Sequence, residues 1–172
     1  MNYHNILHDD MMNGEGLRTV LFLSGCSHKC KGCQNPETWL PYSGIKFDDA
    51  AKKEIFEQLD KDYIHGITFS GGDPLHEANL QEVFDLITEI RKKHPNKTIW
   101  LYSGYTFEEI FNAGGEFWVD IVRRQTVKCL DVFVDGQFIK DLLSPQAQWV
   151  GSSNQRVIDI PKTLNNGQVI LK

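Results

Sequence analysis

Cys26, Cys30 and Cys33 fall within eight residues, in the stretch Gly25-Cys26-Ser27-His28-Lys29-Cys30-Lys31-Gly32-Cys33, directly after the apolar run Thr19-Val20-Leu21-Phe22-Leu23. A strand must therefore deliver a loop carrying three thiols, and the fold has to shape that loop around whatever they hold. A structural zinc site or a fully ligated iron–sulfur cluster takes four protein ligands. The remaining cysteine, Cys129, stands far along the chain at the start of another apolar run, where free cysteine commonly behaves as a small buried hydrophobe. Three thiolates on a four-iron cluster would leave one iron without a protein ligand.

The rest of the chain alternates strand and helix. Residues 1–18 are polar and glycine-marked, and Asn13-Gly14-Glu15-Gly16-Leu17-Arg18 reads as a turn into the strand Thr19–Leu23. Apolar positions at helical spacing predict a helix over Phe47–Leu59. Gly66–Phe69 is a short strand opening into Ser70-Gly71-Gly72-Asp73-Pro74-Leu75, followed by a helix with the stripe Leu80, Val83, Phe84, Ile87 and Ile90.

Paired glycines after a strand let the backbone approach a ligand closely, although any tight strand-to-helix turn uses the same residues. A third unit runs from the strand Thr98–Tyr102 through Ser103-Gly104 into a short helix capped by Thr106. Ser103 is a candidate ligand contact because ligands of open α/β sheets sit at strand carboxyl ends; Ser-Gly also suits a plain turn. A helical piece over Val119–Lys128 precedes the strand Leu130–Val134, where Asp135 either reaches a site at the strand end or caps a turn. Val157–Ile160 is a last strand, and residues 161–172 read as a loose tail or small hairpin.

With 172 residues, 41% of them hydrophobic, the chain suits one domain over 1–172 with a core at about 13–160. A net charge of −5 offers no basic surface for nucleic acid or an anionic membrane. Clustered free thiols suit a reducing compartment. The beginning Met1-Asn2-Tyr3-His4-Asn5-Ile6 lacks a signal-peptide pattern, and no run approaches the roughly 20 apolar residues of a membrane span, so a soluble, cytoplasmic protein is expected. Alternating elements with glycine-rich loops after strands predict an α/β domain with a mainly parallel sheet. A complete eight-unit TIM-type barrel needs about 250 residues, so a partial, incomplete barrel is expected, with its site at the strand carboxyl ends and one side open.

The spacing Cys26-x3-Cys30-x2-Cys33 resembles that of the radical S-adenosylmethionine (SAM) enzymes, and Gly71-Gly72-Asp73 is similar to their Gly-Gly-Glu motif. Asn13-Gly14-Glu15-Gly16-Leu17-Arg18 looks like a variant of the Asp-Gly-Pro-Gly-x-Arg of glycyl-radical-enzyme activases. Asn35 and Trp39 match positions that follow the third cysteine in those activases. Gly32 before Cys33, Asp131–Phe138 and Gly151–Arg156 are similar to the activases of anaerobic, class III ribonucleoside-triphosphate reductase.

The resemblance implies a radical SAM fold. It also implies a 4Fe-4S cluster on Cys26, Cys30 and Cys33, and SAM held by Gly71, Gly72, Asp73, Ser103 and Asn35. The implied chemistry is one-electron cleavage of the sulfonium followed by hydrogen abstraction from a glycine of the reductase. Reduced flavodoxin or a similar donor would supply the electron; His28, Lys29 and Lys31 could receive it, or be solvated like most charged loops. Activation of another glycyl radical enzyme, such as a formate-lyase-like one, and radical chemistry on a small molecule are enzyme alternatives. A non-enzymatic zinc or electron-carrying module, with Cys129 or His28 as fourth ligand, is the alternative from a different class.

Overall fold

Alternation along the strands separates two apolar layers, and those layers explain the architecture. The computed structural model describes residues 1–172 other than Ala113 and Glu116. Its strands are β1 (Asn2–Asp10), β2 (Arg18–Leu23), β3 (Ile45–Lys46), β4 (Gly66–Gly71), β5 (Thr98–Tyr102), β6 (Val132–Asp135) and β7 (Arg156–Asp159). The helices are α1 (Asp49–Leu59), α2 (Leu80–Lys93), α3 (Phe107–Phe111), α4 (Trp118–Lys128) and α5 (Ile160–Asn166). The strands form one open sheet in the order β3-β1-β2-β4-β5-β6-β7.

The central strands β2, β4, β5 and β6 are parallel, with Val20 opposite Thr68, Thr68 opposite Trp100 and Trp100 opposite Val132. β1 and β7 flank them as antiparallel strands. Successive side chains of a strand point to opposite faces. Leu21, Leu23, Ile67, Phe69, Ile99, Leu101 and Phe133 accordingly share a buried cluster with Ile55, Leu59, Val83, Ile87, Ile90 and Val127 of the helices. Trp100, Val132 and Val134 form a second cluster, against which Tyr102, Trp149, Val150 and Val157 pack. The site opens on this second face.

Arg18 is fully buried. Its guanidinium donates to Thr68 Oγ1 at 2.8 Å, Thr98 Oγ1 at 2.8 Å, Ile67 O at 2.7 Å, Thr98 O at 2.9 Å and Glu15 O at 3.0 Å. It also lies 5.3 Å from the ring centroid of Trp100. Burial pushes its pKa down to about 10. Thr68 Oγ1 in turn donates to Asn13 O at 2.7 Å, so the predicted turn over 13–18 is tied to the middle of β4.

The structure extends beyond the expected core at both ends. The polar segment expected before residue 13 contains β1, an edge-side strand in which only Ile6 is buried. The expected tail over 161–172 instead contains α5. Asp159 caps that helix by accepting from Lys162 N, Pro161 occupies its first turn, and Gly167 ends it at φ 69°. The last residues then return along β7: Asp159 N donates to Ile170 O and Lys172 N to Val157 O, both at 2.9 Å. Among the described residues no helix is long and apolar enough to cross a membrane.

Candidate metal and cofactor site

The loops that follow β2, β4 and β5 interlock through their backbones. Gly72 N donates to Leu23 O and Asp73 N to Gly25 O, each at 2.7 Å, which lays the Gly-Gly-Asp loop along the start of the cysteine loop. Asn79, buried at the start of α2, reinforces this by donating to Ser24 O at 2.6 Å and Asp73 O at 3.1 Å. Residues after Cys33 fold back to support the same loop, since Gly25 N donates to Thr38 O at 2.7 Å and Cys26 N to Trp39 O at 3.0 Å. The cysteine loop is therefore held from two sides.

One of its three thiols is met by a backbone N–H group. Asn35 N donates to Cys33 Sγ at 3.4 Å. Burial pushes the Cys26 and Cys30 thiols up, a cost that metal coordination would reverse by holding them as thiolates.

Among the described residues no three His, Cys, Asp or Glu side chains are drawn together as a single ion would require. Thiols that share one cleft without converging on one point fit a multi-iron cluster, in which each binds a different iron. The fourth-ligand candidates of the non-enzymatic reading sit elsewhere. Cys129 packs against the helix-side cluster, and its carbonyl accepts from Arg91 Nε at 2.9 Å. His28 Nε2 lies 2.8 Å from Asp73 Oδ2.

Asp73 joins all three loops. Its side chain is 2% exposed, and its oxygens accept from Leu75 N at 2.8 Å, Ser103 Oγ at 2.9 and 3.0 Å, Gly104 N at 3.1 Å and His28 Nε2. Ser103 is thus turned toward Asp73, and it also accepts from Tyr105 N at 3.1 Å. The contact that Asn35 makes to a thiol is through its backbone. The His28 side chain is only 9% exposed and belongs to this network, whereas Lys29 and Lys31 are exposed, in keeping with the solvated reading of the loop.

Cys26, Cys30, Cys33, Asn35, Gly71, Gly72, Asp73 and Ser103 all line one cleft of about 610 Å³. That volume lies within the roughly 300–1,000 Å³ of small-molecule sites. The same cleft is walled by Asn13, Phe22, Tyr102, Phe138, Trp149 and Gln155, which sequence reasoning did not assign to it. The far wall is stitched by two segments whose composition alone gave no role. Gln155 Oε1 accepts from Gly151 N at 2.9 Å and Ser152 N at 3.2 Å, while its Nε2 donates to Gly136 O at 2.9 Å. Asn154 Nδ2 donates to Gln137 O at 2.8 Å. Asp135 is buried below this wall and outside the cleft lining, accepting from Phe107 N at 2.8 Å and from Arg156 Nε at 2.9 Å.

Comparison with known proteins places these residues in a family. The family model described as "4Fe-4S single cluster domain" matches residues 12–158. The chain is 41% identical over 157 residues to the anaerobic ribonucleoside-triphosphate reductase-activating protein of Enterobacteria phage T4, covering 91% of this chain and 93% of that protein. It is 42% identical over 159 residues to the protein of that name from Escherichia coli (strain K12), covering 91% and 97%. The protein of that name from Haemophilus influenzae is 38% identical over 157 residues, covering 90% and 96%.

Proposed function

Because the chain belongs to the family of anaerobic ribonucleoside-triphosphate reductase-activating proteins, we propose that it activates such a reductase by generating a glycyl radical on it. The observation that carries this reading is that the three thiols and the Gly71-Gly72-Asp73 loop open onto one cleft. When bound there, a reduced 4Fe-4S cluster and SAM supply one-electron cleavage of the sulfonium and, from it, hydrogen abstraction at carbon.

The chain's own residues bind, orient and shield. Cys26, Cys30 and Cys33 would hold the cluster through their three thiolates. The N–H of Asn35 would temper the charge on the Cys33 sulfur. Gly71, Gly72, Asp73, Ser103 and Asn35 are assigned to SAM. A carboxylate offers about four lone-pair positions, and those of Asp73 are occupied by protein donors, so its part is to hold the loop and the amino-group contact falls to the backbone of Gly71 and Gly72. Phe22, Tyr102, Phe138 and Trp149 supply apolar walls against stray hydrogen donors.

In this reading the open sheet is part of an incomplete TIM-type barrel of the radical SAM kind, one domain over 1–172, whose open side admits a loop of the reductase. The setting is cytoplasmic, with reduced flavodoxin or a similar protein as electron donor. The test is anaerobic incubation with the reductase, SAM and reductant. Methionine and 5'-deoxyadenosine should form in step with activated reductase; sustained SAM cleavage while the reductase stays inactive would overturn the reading.

A further inference from the structure

His28 touches the cysteine loop and Asp73 at once. It stands between Cys26 and Cys30 in the thiol loop, and its ring is bonded to the buried Asp73 carboxylate. The ring is confined on its other sides. Tyr105 meets it edge-on with ring centroids 4.5 Å apart, and a Cβ on Gly104 would stand 2.4 Å from it. Tyr105 is itself fixed by Arg123, whose guanidinium lies 4.2 Å from the ring centroid and donates to the hydroxyl at 2.9 Å. Arg123 also donates to Leu75 O at 3.0 Å, which closes the circuit back to the loop that carries Asp73.

We infer that His28 is a positioning residue for the cluster: pinned to Asp73 by its ring, it locks the stretch of thiol loop between Cys26 and Cys30 to the loops after β4 and β5. The potential and the lability of a cluster depend on how firmly its ligands and the groups around them are held. Releasing the ring should therefore shift the reduction potential and loosen the hold on iron without removing a single thiolate. The inference rests on the cluster assignment proposed above and is independent of which protein the chain activates.

The test uses the anaerobically reconstituted protein alone, in wild type, His28→Ala, His28→Gln, Asp73→Asn and the His28→Ala/Asp73→Asn double variant. The readouts are iron and sulfide content, cluster midpoint potential, the electron paramagnetic resonance (EPR) line shape of the reduced cluster and the rate of iron loss to a chelator. His28→Ala and Asp73→Asn should both load iron, show a shifted potential with an altered line shape, and lose iron about threefold faster or more. The double variant should match the worse single one, because the two residues act through one contact. His28→Gln, whose amide can still donate to Asp73, should recover the wild-type potential, which separates positioning from general misfolding. Unchanged potential and iron loss in His28→Ala, or additive effects in the double variant, would overturn the inference. If the cluster behaves as described but no reductase is activated, only the proposed function fails.

Discussion

The backbone of Gly72 lies against that of Gly25 so closely that a Cβ on Gly72 would stand 2.6 Å from the Gly25 carbonyl oxygen and 3.0 Å from that of Leu23. Gly71, at φ +92°, is equally constrained, its Cβ position falling 2.8 Å from Leu23 N. The glycine pair thus serves a close approach of two loops as well as an approach to a ligand.

Gly72→Val should consequently damage both halves of the site. A side chain forced against that backbone must push the cysteine loop aside, at about 1–3 kcal/mol of stability. Reconstituted iron should fall to roughly half of wild type or less, along with SAM affinity, since the displaced loop carries the thiols. Iron analysis and equilibrium dialysis check this; full iron with weakened SAM binding would mean that the pair acts on the ligand alone.

Arg18 makes a second prediction, about stability. Replacing it with Met strands Ile67 O, Thr98 O and two threonine hydroxyls that it now satisfies, so a loss of about 2–4 kcal/mol is expected. Arg18→Lys should recover only part of this because an ammonium cannot reproduce the guanidinium fork. Anaerobic urea unfolding of the three proteins measures it.

Cys129→Ser should keep the full iron content, because Cys129 packs on the helix side of the sheet. Cys26→Ala, Cys30→Ala and Cys33→Ala should each lose the intact cluster. Iron and sulfide analysis of the four variants decides; cluster loss in Cys129→Ser would reverse its assignment as a packing residue.

Arg156 predicts a pH dependence. It donates to Glu108 at 2.6 and 3.0 Å as well as to Asp135, and its hydrogen bond holds the Glu108 carboxyl below its ordinary 4.5. Because the folded pKa is the lower one, the stability from this pair is complete above about pH 4.5 and is lost as pH falls through the folded value. The Glu108 side chain is 47% exposed, so solvent screening limits the effect to about 1 kcal/mol or less. Thermal unfolding between about pH 5 and pH 3 should show a shallower acid-side decline for Glu108→Gln than for wild type.

What was legible in the sequence follows from how local each signal is. The run Thr98–Tyr102 has the bounds of β5 as read, because five consecutive strand formers flanked by Lys97 and Ser103-Gly104 leave little choice. Thr106 was readable as a cap and forms a full capping box with Glu109. β1 was not readable, since Asn2–Asp10 buries only Ile6 and owes its conformation to pairing with β2. α5 was missed although Asp159, Pro161 and Gly167 carry its start and stop signals, because the Asn165-Asn166-Gly167 turn pattern dominated the reading.

Within the site, the cysteines and the Gly-Gly-Asp loop stood out by spacing. The burial of Arg18 and the pinning of His28 did not, since a charged residue beside glycine or lysine looks solvated until distant loops close over it. The contacts that hold Asp73 were not legible either, because its donors, Ser103, Gly104 and His28, come from loops far apart in sequence.

The most direct test of the account is EPR of the anaerobic mixture of this protein, its reductase, SAM and reductant. A glycyl radical flanked by two amides is stabilised and should persist, and the missing side chain permits the close approach that abstraction needs. The account predicts a lasting glycyl signal on the reductase with wild-type protein, none with Cys30→Ala, and none when the reductase's target glycine is alanine although the complex still forms. Rapid SAM turnover with the reductase absent, and no glycyl signal when it is present, would contradict it.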